Sequence, residues 1–250
     1  MKTSDYRRAV ALAGLSILVL AFAANTFFNH TARGAGVKAI PGLYPLVFFV
    51  GLGTIVPAWL LGTLQAGGAT ARLLGLGLDR RDALATLVAL VVGIAIASLP
   101  LVPLLLSGLD PLQLHGLFAG LLVASIAEVL LFLGVLAPVV RALLGRGDDW
   151  ISRAAIVLVS SAAFGLFHFT YPEPWNTGQT ALMLGGLWLV TSTLFVMGRS
   201  LVAAILLDNI LATVGFAKSH LTLPVSPLGG WMMALLAGAA FVLVMRFSRR

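Results

Sequence analysis

Residues 114–141 read LHGLFAGLLVASIAEVLLFLGVLAPVVR, and this stretch decides the fold class. Between Gly116 and Val140 the only ionisable side chain is Glu128. About 20 consecutive apolar residues are enough for a helix to cross a bilayer. The run lacks the alternation of polar and apolar residues that marks a strand of a membrane barrel. It therefore predicts a transmembrane helix, and it places one carboxyl group in the middle of that helix.

The rest of the chain has the same character. Of its 250 residues, 60% are hydrophobic and only 10% are charged, whereas soluble domains have about 25% charged residues. The mean hydropathy of +1.04 indicates that lipid covers most of the surface. The absence of cysteine excludes disulfides, a thiol nucleophile and thiolate metal sites. The net charge of +7 lies in short loops between apolar runs, so we predict a lipid bilayer and no nucleic acid as partner.

The apolar runs predict an all-α, polytopic membrane helix bundle with about eight transmembrane helices. The first run is longer than the apolar core of a cleaved leader, which favours a retained first helix. We expect one transmembrane domain over 1–250, made of N-terminal helices (1–108), a core (109–217) and a final helix (218–250). The predicted spans are 9–30, 40–64, 83–107, 114–141, 154–171, 179–198, 200–217 and 227–246.

The basic residues predict the orientation of the bundle, because cytoplasmic loops of membrane proteins are enriched in Lys and Arg. Three of the 16 basic residues, Arg33, Lys38 and Lys218, fall on one side of the predicted membrane. The other side has Lys2, Arg7, Arg8, Arg72, Arg80, Arg81, Arg141, Arg146, Arg153, Arg199, Arg246, Arg249 and Arg250. We therefore expect both termini in the cytoplasm, and the multi-pass chain in a cell (plasma or inner) membrane.

Three ionisable residues fall inside predicted spans: Glu128, His168 and Asp208. A charged side chain at membrane depth costs about 2.5–3.5 kcal/mol on insertion scales, so each is a candidate for function. Each also has a structural interpretation. Glu128 would bond a neighbouring helix with help from Ser125, His168 would lie at the interface, and Asp208 beside Asn209 would make a helix–helix contact.

The segments around these residues resemble the CPBP family of intramembrane proteases, which includes type II CAAX prenyl endopeptidases and bacteriocin-immunity relatives. The first family motif, Glu-Glu followed by two apolar residues and Phe-Arg-Gly, is similar to Glu128–Gly134. The second, Phe and His four residues apart after Ser-Ser, is similar to Ser160–His168. The third, His and Asn four residues apart after Ser-Leu, is similar to Ser200–Ala212. The resemblance covers about residues 110–217.

The resemblance implies an intramembrane endopeptidase in which Glu128 and His168 activate a water, with Asp208 as the third catalytic residue of the pocket. Its substrate would be a membrane peptide or a prenylated peptide. Several motif residues are replaced in this chain: Val129 stands for the second Glu, Leu133 for the Arg, Asp208 for the His and Ala212 for the Asn. The replaced residues include expected oxyanion donors, so weak activity or none is predicted, and whether the chain is an enzyme stays open.

Other chemistries use the same residues. Glu128, His168 and Asp208 would hold a divalent metal if they converged, although no cofactor is certain. A transporter would relay protons or ions through them, but the sequence lacks the internal repeats of common transporter designs. A non-catalytic membrane scaffold or immunity-type protein is the remaining alternative.

Overall fold

The computed structural model describes residues 3–65, 110–218 and 226–248, together with residues 83–84, 87–88, 91–95, 98–99 and 102. In this part of the chain every regular element is helical. The helices are α1 (Thr3–His30), α2 (Ala32–Lys38), α3 (Val56–Gln65), α4 (Pro111–Val129), α5 (Leu136–Leu144), α6 (Trp150–Phe167), α7 (Gly178–Gly198), α8 (Leu201–Lys218) and α9 (Pro227–Phe247). Two π-helical segments, Pro45–Ile55 and Leu130–Val135, run directly into α3 and α5, and a 3₁₀ turn, His168–Thr170, follows α6.

Among the described residues, seven helical segments are long and apolar enough to cross a membrane. They are Ser4–His30, Pro45–Thr63, Pro111–Leu144, Trp150–Thr170, Gly178–Gly198, Leu201–Lys218 and Pro227–Phe247. They coincide with seven of the eight predicted spans, and the predicted span 83–107 lies largely outside the described residues. The prediction of a polytopic helix bundle is confirmed, and the cytoplasmic placement of the termini stays a prediction.

The predicted fourth span is longer than its apolar run suggested. It extends over Pro111–Leu144, which is 34 residues, or about 50 Å at the rise of an α-helix. Asp110 caps its first turn, because a carboxylate oxygen accepts a hydrogen bond from the Leu112 amide at 2.9 Å. Gly145 ends it with a φ of 65°, a conformation that glycine adopts without strain. The π-helical segment Leu130–Val135 interrupts it just after Glu128.

The core of the bundle is aromatic where these helices meet. Phe132 lies 5.2 Å from Phe167 and 6.1 Å from Trp188, measured between ring centroids. Trp188 stacks on Phe164 at 3.8 Å. All four side chains are buried, and offset or edge-on ring pairs of this kind add to the free energy gained from burial alone. The cluster joins α6, α7 and the π-helical segment behind the candidate site.

Glycine allows α6 and α7 to approach closely. A Cβ atom placed on Gly165 would lie 2.7 Å from the backbone oxygen of Ala181 and 3.4 Å from the Cα of Gly185. Such contacts between small residues are a usual way for helices to pack in membranes, where van der Waals contact drives association. This packing holds the end of α6, and thus His168, against α7.

Arginines from three segments meet at one end of the bundle. Asp148, in the turn between α5 and α6, forms ion pairs with Arg141 at 2.9 Å and Arg153 at 3.0 Å, and also with Arg199. All three arginines belong to the set predicted on one side of the membrane. Their meeting at one aspartate is what the predicted alternation of spans requires.

Candidate active site

Glu128 lies one residue before the end of α4 and directly ahead of the π-helical segment Leu130–Val135. Its side chain is half-buried and lines a large internal cavity. The hydroxyl of Tyr171 donates a hydrogen bond of 2.7 Å to Oε1 of Glu128. Single-turn π segments inside α-helices occur frequently at functional sites. The hydrogen bond from Tyr171 holds the carboxyl group of Glu128 in place from a second segment of the chain.

His168 begins the 3₁₀ turn at the end of α6 and is buried. Its Nδ1 lies 2.9 Å from the backbone oxygen of Phe164, and its ring packs edge-on against the ring of Phe164 at 4.6 Å. Because a carbonyl oxygen only accepts hydrogen bonds, Nδ1 is the donor in this contact, and Nε2 of the neutral ring remains an acceptor. The histidine is oriented as a base or proton carrier requires.

Asp208 is buried in α8, and its Oδ2 has no hydrogen-bond partner among the described residues. Asp208 and Glu128 both line the same cavity. The neighbouring Asn209 has a different role: its Nδ2 donates to the backbone oxygen of Phe118 at 3.1 Å, and its Oδ1 accepts from Ser125 at 3.4 Å. The helix–helix contact considered for this pair is therefore made by Asn209, while Asp208 lines the cavity.

The three predicted side chains line the same cavity, which has a volume of about 980 Å³. Binding sites for drug-sized molecules usually measure about 300–1,000 Å³. The cavity wall also includes the exposed residues Lys38, Lys218 and Ser226. The cavity thus opens at the end of the bundle opposite the Asp148 ion pairs, which is the predicted non-cytoplasmic end.

The structure also shows how the replaced motif residues are accommodated. Val129 and Leu133, at the places of the second Glu and the Arg, are fully buried in the hydrophobic core. Ala212 lines the cavity and presents only a methyl group there. Neither side chain lines the cavity, so positions 129 and 133 contribute to the core and not to the polar groups of the site.

A polar network outside the family motifs supports the site, and the sequence analysis missed it. Asn25 of α1 donates to Oγ1 of Thr170 at 2.7 Å and accepts from the hydroxyl of Tyr44 at 2.7 Å. Asn29 donates to Oδ1 of Asn25 at 3.0 Å and accepts from Lys38 at 2.7 Å. The available signal was Asn25 and Asn29 four residues apart on one face of an otherwise apolar helix.

Tyr171 was likewise missed. It lies three residues after His168, outside the three motif segments compared above. Its ring lies 5.2 Å from the ring of His168 and 5.5 Å from that of Phe167. A phenol so close to a predicted catalytic histidine was the signal, but its direction toward Glu128 depends on the 3₁₀ turn.

The described residues contain no group of three His, Cys, Asp or Glu side chains arranged to hold a metal ion. Glu128, His168 and Asp208 therefore share a cavity without forming a three-ligand metal set. The cavity wall contains a carboxyl group, an imidazole and a phenol, which are groups that can polarise a water.

Comparison with known proteins gives a family match for part of the chain. Residues 110–208 match the family model described as type II CAAX prenyl endopeptidase Rce1-like. The matched segment begins at the cap of α4 and ends at Asp208, and it includes Glu128, His168 and Tyr171. No curated protein and no solved structure matches the chain. The family match confirms the resemblance drawn from the three motifs.

Proposed function

We propose that this chain, whose residues 110–208 match the Rce1-like family model, is a divergent intramembrane endopeptidase of the CPBP type. The observation that supports this function most directly is the shared cavity. A carboxyl group and an imidazole, from Glu128 and His168, line one cavity inside an apolar bundle. A general base and its partner must lie within reach of one water, and a common cavity is the first requirement for that geometry.

The proposed reaction is peptide hydrolysis. A water between Glu128 and His168 gives one proton to the carboxylate while its oxygen bonds to the scissile carbonyl carbon. The tetrahedral intermediate then collapses, the C–N bond breaks, and the proton on Glu128 passes to the leaving amine. The imidazole Nε2 accepts a hydrogen bond from the water and orients it. Low-dielectric surroundings strengthen each of these electrostatic interactions.

The cavity favours an apolar substrate. Its wall is formed largely by apolar residues of α4, α7 and α8, which suits a membrane peptide or the lipid chain of a prenylated peptide. The opening near Lys38 and Lys218 indicates an approach from the predicted non-cytoplasmic side. We propose the cell (plasma or inner) membrane as the location of this multi-pass protein.

Activity is expected to be low. Ala212 cannot donate a hydrogen bond, and Asp208 donates only when protonated. Loss of one donor to the oxyanion lowers kcat by about 10²- to 10³-fold in other hydrolases. A scaffold or immunity-type role without catalysis, or an ion-coupled transporter, is the alternative that a complete absence of cleavage would favour.

Cleavage by the purified, full-length protein in lipid nanodiscs tests the proposal. The substrates are a panel of fluorogenic apolar peptides with and without a prenyl group. Glu128→Gln should abolish turnover, because the amide resembles the carboxylate in shape but cannot accept the proton. Glu173→Gln is the matched control, since Glu173 is exposed between α6 and α7. His168→Ala should also abolish turnover, with the exposed His30→Ala as its control.

Two results would count against the protease. One is turnover that survives Glu128→Gln at the level of Glu173→Gln. The other is the absence of cleavage for every peptide by both the native protein and Asp208→His. Each measurement is repeated with a chelator, because loss of activity on chelation would point to a metal-dependent route in place of the proposed one.

A further inference from the structure

We propose that the Tyr171 hydroxyl is the hydrogen-bond donor to the oxyanion in this reaction, an inference that rests on the proposed endopeptidase function. Hydrolysis moves negative charge onto the scissile carbonyl oxygen, and a donor must lie about 2.7–3.1 Å from the position that this oxygen reaches. The candidates for this role are the hydrogen-bond donors that line the cavity near Glu128.

Most polar groups of the cavity already have other partners. His168 Nδ1 contacts the Phe164 carbonyl, and the Lys38 ammonium donates to Asn29. Ser125 donates to Asn209. Tyr171 differs from these groups, because its hydroxyl donates to Oε1 of Glu128 itself.

Distance favours Tyr171 as the donor. Its hydroxyl lies 2.7 Å from Glu128, and a water activated by Glu128 would also lie one hydrogen-bond length from the carboxylate. The carbonyl carbon attacked by that water must come within about 3–3.5 Å of the water oxygen. The carbonyl oxygen is thereby brought into the neighbourhood of the phenol. A small rotation of the Tyr171 hydroxyl hydrogen then moves its hydrogen bond from the carboxylate oxygen of Glu128 to the oxyanion.

The phenol is held rigidly, as an oxyanion donor must be. Its ring packs against His168 and Phe167. The preceding residue, Thr170, is buried and bonded to both Asn25 and the Phe167 carbonyl. A donor fixed by the fold costs little reorganisation when charge develops, which is what makes such donors effective.

In the proposed step Tyr171 stabilises charge and keeps its proton. As the water oxygen bonds to the carbonyl carbon, the π-electron pair of the carbonyl moves onto its oxygen and the water proton moves to Glu128. The Tyr171 O–H donates a hydrogen bond to that oxygen. When the intermediate collapses, the carbonyl re-forms, the C–N bond breaks, and Glu128 returns the proton to the amine.

The cavity contains two competing donors. Trp188 Nε1 and Thr191 Oγ1 are buried, line the cavity and have no hydrogen-bond partner among the described residues. They lie on α7, one turn apart. Neither forms a hydrogen bond to Glu128, His168 or Tyr171 in the described part of the structure, which is why Tyr171 is preferred. Thr191→Val, which removes the hydroxyl at nearly constant volume, is therefore part of the test.

The experiment compares Tyr171→Phe, Thr191→Val and Tyr6→Phe in the full-length protein in nanodiscs. Tyr6 is the matched control, because it is exposed near the start of α1. Tyr171→Phe should lower kcat by about 10²- to 10³-fold while KM changes less than about threefold. A peptide phosphinate, whose tetrahedral anionic centre imitates the intermediate, should lose affinity by a similar factor. An uncleavable ground-state peptide should bind as before, and thermal unfolding should show that each variant is folded.

The outcomes separate this proposal from the function on which it rests. If native protein cleaves and Glu128→Gln does not, but Tyr171→Phe keeps kcat within threefold, the donor is wrong and the protease stands. The donor is likewise wrong, and the protease stands, if Thr191→Val lowers kcat more than Tyr171→Phe does. If Tyr171→Phe lowers kcat without weakening the phosphinate, the tyrosine acts only through Glu128 and the oxyanion role is wrong. If the native protein cleaves nothing, the proposed function itself fails.

Discussion

Tyr171 and Glu128 are 43 residues apart in the chain, and a hydrogen bond of 2.7 Å joins their side chains across the cavity. Tyr171 follows the 3₁₀ turn at the end of α6, and Glu128 lies near the junction of α4 with a π-helical segment. Their contact joins the motif segment Glu128–Gly134 to a tyrosine three residues after the motif segment Ser160–His168.

Replacing Asp208 by histidine should raise turnover. Asp208 is buried with an unpartnered oxygen and lines the same cavity as Glu128, and histidine would replace its carboxyl group by a ring with an N–H donor. A tenfold gain in kcat corresponds to about 1.4 kcal/mol of transition-state stabilisation. Peptide cleavage in nanodiscs measures the change in kcat, with Asp5→His at an exposed position as the control. An unchanged or lower kcat in folded Asp208→His would contradict the expected role of this position.

Removing the Asn25 side chain should lower both stability and turnover. Asn25 is fully buried and bonds Thr170, Tyr44 and Asn29, so Asn25→Ala leaves buried polar groups without partners. Each such group costs about 1–3 kcal/mol. Thermal unfolding in detergent and kcat report the two effects. Thr26→Ala, exposed on the same helix, is the control and should change neither.

A methyl group at Gly165 should force α6 and α7 apart. Its Cβ would lie 2.7 Å from the Ala181 backbone oxygen, and overpacking of this kind costs about 1–3 kcal/mol. Gly165→Ala should therefore lower the unfolding temperature and, by moving the end of α6, reduce turnover. Gly186→Ala on α7 is the matched control, because nothing lies within 4 Å of its Cβ position. Equal stability of the two variants would refute the close approach.

The ion pairs of Asp148 should make stability depend on pH. The hydrogen bond from Arg153, followed by the charges of Arg141 and Arg199, lowers the pKa of Asp148 from its ordinary value of 3.8. A lowered pKa contributes stability that is fully present above that ordinary value and is lost as pH falls through the folded value. Unfolding temperature measured from pH 7 down to pH 3 should fall less in Asp148→Asn than in the native protein.

The pKa of Asp149 is also lowered, so its contribution to the pH dependence must be separated from that of Asp148. The Ser152 amide and the Arg146 guanidinium lower the pKa of Asp149 to about 2. Asp149→Asn is thus a second variant, and the double variant removes both contributions. A pH dependence in Asp148→Asn equal to that of the native protein would show that the three arginines do not act through Asp148.

Reporter fusions test the orientation. A fusion in the turn near Arg146 should give a cytoplasmic signal, and one near Glu173 a non-cytoplasmic signal, because thirteen of the 16 basic residues lie on the first side. Matched fusions at both sites control for expression. Reversed signals at both positions would invert the bundle, and the cavity would then open to the cytoplasm.

The sequence by itself determined the class of the protein and most of its spans. Hydropathy and charge are properties of local segments, so runs of apolar residues predict helices wherever they occur in the chain. Glu128, His168 and Asp208 could be selected for the same local reason, since an ionisable group is costly in any apolar span. Their roles in catalysis stay predictions.

Only the tertiary structure decided which side chains meet. Whether Glu128 faces lipid or cavity depends on the rotation of a 34-residue helix that a π-helical segment modifies, and no local pattern encodes that rotation. The 3₁₀ turn brings Tyr171 back toward Glu128. The adjacent residues Asp208 and Asn209 point in different directions, because successive side chains on a helix lie about 100° apart. Asp208 lines the cavity, whereas Asn209 bonds the Phe118 carbonyl. Asn25 joins the site through contacts 145 residues away in the chain, because packing brings together residues from distant segments.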